Sequence, residues 1–190
     1  MEHHGVRCYP GEAADAATPQ SKRAPSMAFE IYALSAAAGQ VGICPMPGLL
    51  SPYADDLNTI IDWSPDLVLT MTEEAELVTV GANTLGDDLQ DGGISWYALP
   101  ITDFGTPGAD VELTWPEVSM LALAFLRQGG KVLAHCRGGC GRSGMAVMRL
   151  LVELGEDPEA ALARLRDARP CAVETQAQQD WAAAPASDRI

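Results

Sequence analysis

Short apolar runs alternate along the chain with longer segments in which apolar residues recur at helical spacing. The runs predict five strands, at 29–34, 41–44, 66–71, 95–99 and 131–134. The longer segments predict helices that begin near Ser51, Thr72, Thr114, Gly144, Asp157 and Thr175. The first two strands, joined by a turn of small residues, predict an antiparallel pair at a sheet edge. Strands that otherwise alternate with helices predict an α/β fold, a single domain with a central, mainly parallel sheet flanked by helices.

The two ends of the chain differ in composition from the segment between them. Residues 1–27 carry Gly, Ala, Pro and Ser with few large apolar side chains, which predicts a loose tail because so little surface could be buried on folding. The folded domain is expected to span 28–184, followed by a short C-terminal tail at 185–190. A length of 190 residues, 47% of them apolar, suits one domain with its own core.

The charge balance narrows the classes of partner. Twelve Lys and Arg against 26 Asp and Glu give a net charge of −14, which argues against nucleic acid and anionic membrane surfaces as ligands. No run of 18 apolar residues is present, so no membrane span is expected. The chain has five cysteines, which is a small and uneven number, so a disulfide framework is not expected. A catalytic thiolate would need a reducing compartment, which predicts a cytoplasmic location. The oligomeric state stays open.

The chemistry of the chain concentrates in residues 131–144. Val132, Leu133 and Ala134 predict a strand buried on both faces, and a turn with three glycines separates it from an apolar helix. Such a turn directs backbone N–H groups and the positive end of the helix dipole toward one point. This arrangement predicts a binding site for an anion.

Three side chains of this segment predict covalent phosphate chemistry. Cys136 lies where the strand becomes the turn, under N–H groups that favour a thiolate and so a nucleophile. Arg142 falls at the start of the helix, where its planar fork can hold two phosphoryl oxygens. The hydroxyl of Ser143 is expected to reach the sulfur and to stabilise it as a leaving group.

The segment His135-Cys136-x5-Arg142-Ser143 resembles the signature loop of the cysteine-dependent protein phosphatases, in their small dual-specificity branch. The resemblance implies the fold of those enzymes, a phosphocysteine intermediate, a phosphorylated protein or peptide as substrate, and no metal or cofactor. It implies that His135 is buried and supports the loop. It also implies that phosphate binds to the loop residues Arg137, Gly138, Gly139, Cys140 and Gly141, although Arg137 is equally well explained as a solvated side chain.

A leaving alkoxide or phenoxide needs a proton, so the chain must also supply an acid. Asp103 lies in the loop Pro100 to Pro107, between a strand and a helix at the sheet edge where Cys136 is expected. The phosphatases that the signature resembles carry their general acid in a similar Pro-x-x-Asp-x-Gly-x-Pro loop, which implies this role for Asp103. A carboxylate that only shapes the turn is the alternative, with Asp110 and Glu112 as other candidate acids. The thiolate must be ionised while the acid keeps its proton, so activity is expected to peak on the acid side of neutrality.

The segment from Ala172 to Gln178 resembles the glutamine loop of the same family, where an amide orients the water that hydrolyses the intermediate. Gln178 matches the pattern, whereas Glu174 stands where related enzymes often have Gln. Which of the two holds the water is left open, and a solvated helix face is an alternative place for Gln178.

Two other classes of function compete with a phosphatase. Cys136 and Cys140 in one loop would also suit a thiol redox or rhodanese-like sulfur-transfer protein, although neither has a use for Asp103. A module that binds phosphorylated partners without turnover is the third hypothesis. The absence of a long insertion predicts a shallow site, open to phosphoserine and phosphothreonine as well as phosphotyrosine.

Cys140 raises a redox hypothesis of its own. A thiol four residues after the nucleophile could condense with an oxidised Cys136, with Cys44 or Cys171 as less favoured partners. The alternative is that Cys140 is simply a small residue that fits the loop.

Overall fold

The computed structural model describes Met1 and residues 29–184, so both predicted tails, Met1 aside, lie outside the described residues. Five strands form one sheet in the order β1-β2-β5-β3-β4, and only β1 runs antiparallel to its neighbour. This mixed, mainly parallel sheet with flanking helices confirms the predicted fold class. The strands are β1 (Tyr32–Ala36), β2 (Gly39–Pro45), β3 (Leu67–Thr70), β4 (Ser95–Ala98) and β5 (Lys131–Cys136).

Seven helices in the described part of the chain cover the two faces of the sheet. They are α1 (Tyr53–Trp63), α2 (Glu74–Thr79), α3 (Leu85–Asp91), α4 (Ala109–Arg127), α5 (Gly141–Glu153), α6 (Pro158–Ala168) and α7 (Gln176–Ala183). The predicted helical stretch after Thr72 is divided at Gly81, whose φ of +72° lies in the left-handed region. No described helix is both long enough and apolar enough to cross a membrane.

Strand β5 lies in the middle of the sheet and joins two apolar cores. Val132 and Ala134 belong to the core beneath helices α4 to α7, while Leu133 belongs to the core beneath α1 to α3. All three side chains are fully buried, as the apolar run predicts. This two-sided packing fixes the carboxyl end of β5, and hence Cys136, at the centre of the domain.

The start of α4 differs from the sequence prediction. The pattern Thr114 to Glu117 predicts a helix N-terminus, but the helix begins five residues earlier, at Ala109. Asp110 and Glu112 then lie in the first turn, where their charges complement the helix dipole. Pro116 is tolerated inside the helix, at the cost of one backbone hydrogen bond.

Candidate active site

The turn between β5 and α5 builds the site around Cys136. Cys136 is the last residue of β5 and is 3% exposed, and α5 begins five residues later at Gly141. Gly139 adopts a φ of +64°, and a Cβ atom on it would lie 2.4 Å from the backbone carbon of Cys44. Only glycine fits here, so the turn can pass tightly over strand β2.

Ser143 lies within hydrogen-bond distance of the sulfur. Its Oγ is 3.1 Å from Cys136 Sγ, and both side chains are buried. Ser143 belongs to the first turn of α5, because that helix begins at Gly141 rather than at the expected Gly144. The helix N-terminus therefore directs N–H groups toward the nucleophile.

Arg142 is 2% exposed and is held by several acceptors. Its Nη1 and Nη2 donate to the two carboxylate oxygens of Glu76, at 2.6 and 3.0 Å, and Nη1 also donates to the Ile101 carbonyl at 2.9 Å. Burial raises the pKa of Glu76 more than any single contact lowers it. The hydrogen bonds from Arg142 and from the Glu73 N–H, together with the charges of Arg142 and Arg137, nevertheless leave that pKa below its usual value. The buried guanidinium thus has a charged partner of its own before any phosphate binds.

Glu76 is a site residue that the sequence reasoning missed. It lies in α2, where it also accepts the N–H of Glu73 and so completes a capping box. Its spacing to Glu73 is the only sequence signal, and that signal indicates a helix start rather than contact with Arg142.

Asp103 faces the same pocket as Cys136. One carboxylate oxygen lies 3.0 Å from Arg142 Nη2 and accepts the N–H of Phe104 at 3.2 Å, and the side chain is 53% exposed. Phe104 has a φ of +58°, so the chain turns sharply after Asp103. Asp103 therefore both shapes the turn, through its bond to the Phe104 N–H, and lines the pocket above Cys136.

The alternative acids lie elsewhere. Asp110 and Glu112 belong to α4, and Glu112 accepts a hydrogen bond from Trp181 Nε1 at 2.7 Å. Neither lines the pocket above Cys136.

That pocket has a volume of about 260 Å³ and a mixed lining. Cys136 lies at its base, and Arg137 is exposed at its edge. Acidic side chains face it from two loops, and apolar groups complete the rim. The remaining lining residues are Leu49, Asp103, Phe104, Gly138, Cys140 and Glu174.

His135 supports the loop from below, fully buried. Its Nε2 lies 2.7 Å from Thr70 Oγ1, while its Nδ1 has no hydrogen-bond partner among the described residues. Burial, together with the positive charge of Arg142, lowers the pKa of His135 to about 3. The imidazole is therefore neutral at any pH at which the chain is expected to work.

Gln178 is fully buried, so its placement on a solvated helix face is wrong. Its Oε1 accepts the N–H groups of Glu174 and Thr175, at 3.0 and 3.3 Å. Its Nε2 donates to the carbonyl of Gly105 at 3.1 Å. The amide therefore ties the loop before α7 to the loop that carries Asp103.

Cys140 forms a disulfide bond with Cys171, at a Cα separation of 5.2 Å. The hypothesis that Cys140 pairs with Cys136 is therefore not borne out in this structure, in which Cys136 and Cys44 are the free cysteines among the described residues. The alternative, that Cys140 is simply a small residue that fits the loop, is wrong as well. Arg169 accounts for Cys171 as the partner of Cys140, because the Arg169 guanidinium donates to the carbonyls of Gly138 and Gly139 at 2.9 and 3.0 Å. These bonds hold the segment containing Cys171 against the turn.

A buried strand ending in a cysteine, a glycine-rich turn and a buried arginine at the next helix N-terminus together define the class of cysteine-dependent protein phosphatases. Comparison with known proteins specifies the family. A family model described as "Polymorphic toxin system, DSP-PTPase phosphatase" matches residues 41–156, and the chain belongs to this family of dual-specificity and tyrosine phosphatases. This confirms the resemblance seen in the signature.

Individual relatives agree with this assignment. Cyclin-dependent kinase inhibitor 3 of Rattus norvegicus is 31% identical over 151 residues, which cover 74% of this chain and 69% of the relative. Putative tyrosine phosphatase 067L of Invertebrate iridescent virus 3 is 32% identical over 101 residues, 50% of this chain and 42% of the relative.

Solved structures share the fold. A kinase associated phosphatase with serine in place of its catalytic-site cysteine superposes with a TM-score of 0.69 and 27% identity, over 81% of this chain and 92% of that one. The phosphatase Tk-PTP in its active form gives a TM-score of 0.61 and 32% identity, over 75% and 88%.

Proposed function

We propose that this protein hydrolyses phosphate monoesters on tyrosine, serine or threonine side chains through a phosphocysteine intermediate on Cys136. The observation that carries the proposal is the placement of Cys136 Sγ under a helix N-terminus, 3.1 Å from a serine hydroxyl, in a pocket that Asp103 also lines. A nucleophile, an anion cradle and a carboxyl group are the three parts that the reaction needs.

In the first step the Cys136 thiolate attacks phosphorus, and the bond from phosphorus to the leaving oxygen breaks. Asp103 donates its proton to that oxygen, while loop N–H groups and Arg142 hold the other phosphoryl oxygens. Arg142 Nη2 contacts Asp103 in the free protein. An incoming phosphate would replace that contact and release the carboxyl group toward the leaving oxygen, while Glu76 keeps the guanidinium in orientation.

In the second step a water attacks the phosphocysteine, Asp103 takes a proton from it, and the thiolate leaves. The side-chain amide of Gln178 is hydrogen-bonded to three backbone groups, so we assign Gln178 to positioning the loop before α7. Glu174 lines the pocket from that loop and is the side chain of the pair that can face the water. The Ser143 hydroxyl stabilises the departing sulfur.

Ser143→Ala is expected to slow breakdown of the phosphoenzyme more than its formation, because the hydroxyl contacts the sulfur that leaves in the second step. Rapid-quench kinetics with an aryl phosphate should show a burst of released alcohol and then a steady rate roughly tenfold or more below that of the wild type. Ser119→Ala, a buried serine of α4 outside the pocket, is the matched control. Uniform slowing without a burst would refute the role of Ser143.

The pocket favours a phosphorylated protein or peptide as substrate. Leu49 and Phe104 provide apolar surface for the side chain that carries the phosphate. Asp103 and Glu174 oppose additional negative charge at the rim, so a polyanionic phosphoinositide is disfavoured. A cytoplasmic location belongs to the proposal, because Cys136 must stay reduced, although the Cys140–Cys171 disulfide is of a kind that cytoplasmic proteins rarely keep.

A substrate panel with chelator present tests this function. We expect turnover of phosphotyrosine and phosphothreonine peptides, and at least about tenfold lower kcat/KM on a phosphoinositide. Binding of the peptides without release of phosphate would favour the module without turnover instead. The thiol redox alternative lacks a neighbouring thiol at Cys140, because Cys140 is bonded to Cys171.

A further inference from the structure

A second cavity, of about 280 Å³, opens at the carboxyl ends of β3 and β4. Its wall includes Thr70, Thr72, Glu74, Asp87 and Trp96, and we call it the β3–β4 cavity. It shares no lining residue with the pocket above Cys136. The proposed phosphatase reaction makes no use of it.

The charge in this wall is negative and unpaired. Glu74 and Asp87 are exposed, and within the described residues neither carboxylate accepts a hydrogen bond or joins an ion pair. Among the residues that the structure describes, no lysine, arginine or histidine lines the cavity. A cationic ligand would supply the missing countercharge.

An indole ring and a buried hydroxyl complete the wall. Trp96 packs so closely on α3 that a Cβ atom on Gly86 would lie 2.6 Å from its ring, so a small residue is needed there to admit the indole. Thr72 is 2% exposed, and its hydroxyl has no hydrogen-bond partner among the described residues. An aromatic ring beside carboxylates is the combination that proteins use to bind ammonium and guanidinium groups.

We propose that the β3–β4 cavity binds an organic cation, with its charged group between Glu74 and Asp87 and its apolar stem against Trp96. The volume suits one guanidinium or ammonium group with its aliphatic chain rather than a larger ligand. The cation is either a free small amine or an arginine or lysine side chain beside the phosphorylated residue of a substrate. The substrate source rests on the proposed phosphatase function.

Two connections join the cavity to the phosphate-binding turn. Trp96 Nε1 donates to Thr70 Oγ1 at 2.8 Å, and that same oxygen lies 2.7 Å from Nε2 of His135, the residue before Cys136. Helix α2 contributes Leu77 to the cavity and the neighbouring Glu76 to Arg142. An occupant therefore lies beside the groups that support the turn.

Binding of N-acetyl-arginine amide to the full chain, followed by NMR, tests the proposal without any turnover. The indole N–H signal of Trp96, assigned with Trp96→Phe, is expected to shift saturably with this probe and not with its neutral citrulline analogue. Glu74→Gln combined with Asp87→Asn should weaken binding roughly fivefold to tenfold.

The matched control is Asp62→Asn combined with Asp91→Asn, which removes the same charge from exposed positions outside the cavity. It should keep the affinity of the wild type, and both double variants should keep its turnover of a small aryl phosphate, within about twofold. If both double variants bound the probe equally weakly, the binding would reflect only general attraction by a chain of net charge −14, and the proposal would be wrong. A Trp96 signal that does not saturate would also overturn it.

Two phosphotyrosine peptides that differ only by arginine or citrulline beside the phosphorylated residue identify the source of the cation. A kcat/KM advantage of the arginine peptide that is lost in the cavity variant, but kept in the control, assigns the cavity to a substrate side chain. Equal kcat/KM for the two peptides, with saturable binding of the free probe, assigns it to a small amine. If the proposed phosphatase function is wrong, neither peptide will be hydrolysed, whereas the NMR titration will still report whether the cavity binds a cation.

Discussion

Cys136→Ser is expected to lower kcat for an aryl phosphate by at least about 10⁴-fold, because a serine hydroxyl in this turn cannot take the place of a thiolate. The residue is buried at the end of β5, under the N-terminus of α5, and serine differs from it by a single atom. The fold and the anion cradle should therefore survive. Release of phosphate by the purified variant, compared with the wild type at equal concentration, measures the loss.

A matched variant separates loss of the nucleophile from loss of a thiol. Cys44→Ala removes the other free cysteine of the described chain, which is buried in β2 and does not line the pocket. It should retain activity within a few-fold, apart from the cost of a small cavity. Cys136→Ser should still bind phosphate or vanadate in the turn, as measured by calorimetry. Substantial turnover by Cys136→Ser would exclude the phosphocysteine route.

The parts of the site that lie close together along the chain could be predicted from the sequence. The strand, turn and helix around Cys136 are contiguous, and their glycines and apolar runs follow local rules of backbone conformation and burial. The alternation of strands with helices likewise predicts the parallel sheet, since such connections place successive strands in one direction. Asp103 follows from the same topology, because carboxyl ends of parallel strands share one edge.

Contacts between distant segments could not be predicted in this way. Glu76 lies 66 residues before Arg142, and nothing in its surroundings indicates that a buried guanidinium will meet it. The disulfide of Cys140 with Cys171 depends on how Arg169 holds one loop against another. Gln178 is buried and donates to the Gly105 carbonyl in the loop that carries Asp103, whereas the sequence of its own helix gives no sign of this contact. Each of these contacts depends on tertiary packing, which the local pattern of apolar residues does not predict.

Local rules also competed with one another at α4. Thr114 and Glu117 match a capping box, but the extended backbone at Gly108 allows the helix to begin earlier and to gain more than one further turn. Thr114 Oγ1 instead donates to the Asp110 carbonyl within the helix. The earlier start shortens the loop between β4 and α4, which carries Asp103.

Asp103→Asn is expected to show a loss of activity that depends on the leaving group. Asparagine keeps the size of the side chain, but its amide is too weak an acid to protonate the leaving oxygen. Only substrates whose leaving oxygen needs a proton should therefore react more slowly. For phenyl phosphate, a poor leaving group, kcat/KM should fall about 10²-fold to 10³-fold, whereas for dinitrophenyl phosphate it should change by less than about tenfold. A series of aryl phosphates, plotted as log kcat/KM against the acidity of the phenol, measures this directly.

The wild type should show a nearly flat dependence in that series, and Asp103→Asn a steep one. Asp110→Asn is the matched control, because it makes the same change at an exposed position of α4 outside the pocket. Its profile should stay as flat as that of the wild type. An equal loss across all leaving groups in Asp103→Asn would mean that the contact of Asp103 with Arg142, 3.0 Å in the free protein, matters for binding alone. A steep profile in Asp110→Asn would instead transfer the role of the acid to α4.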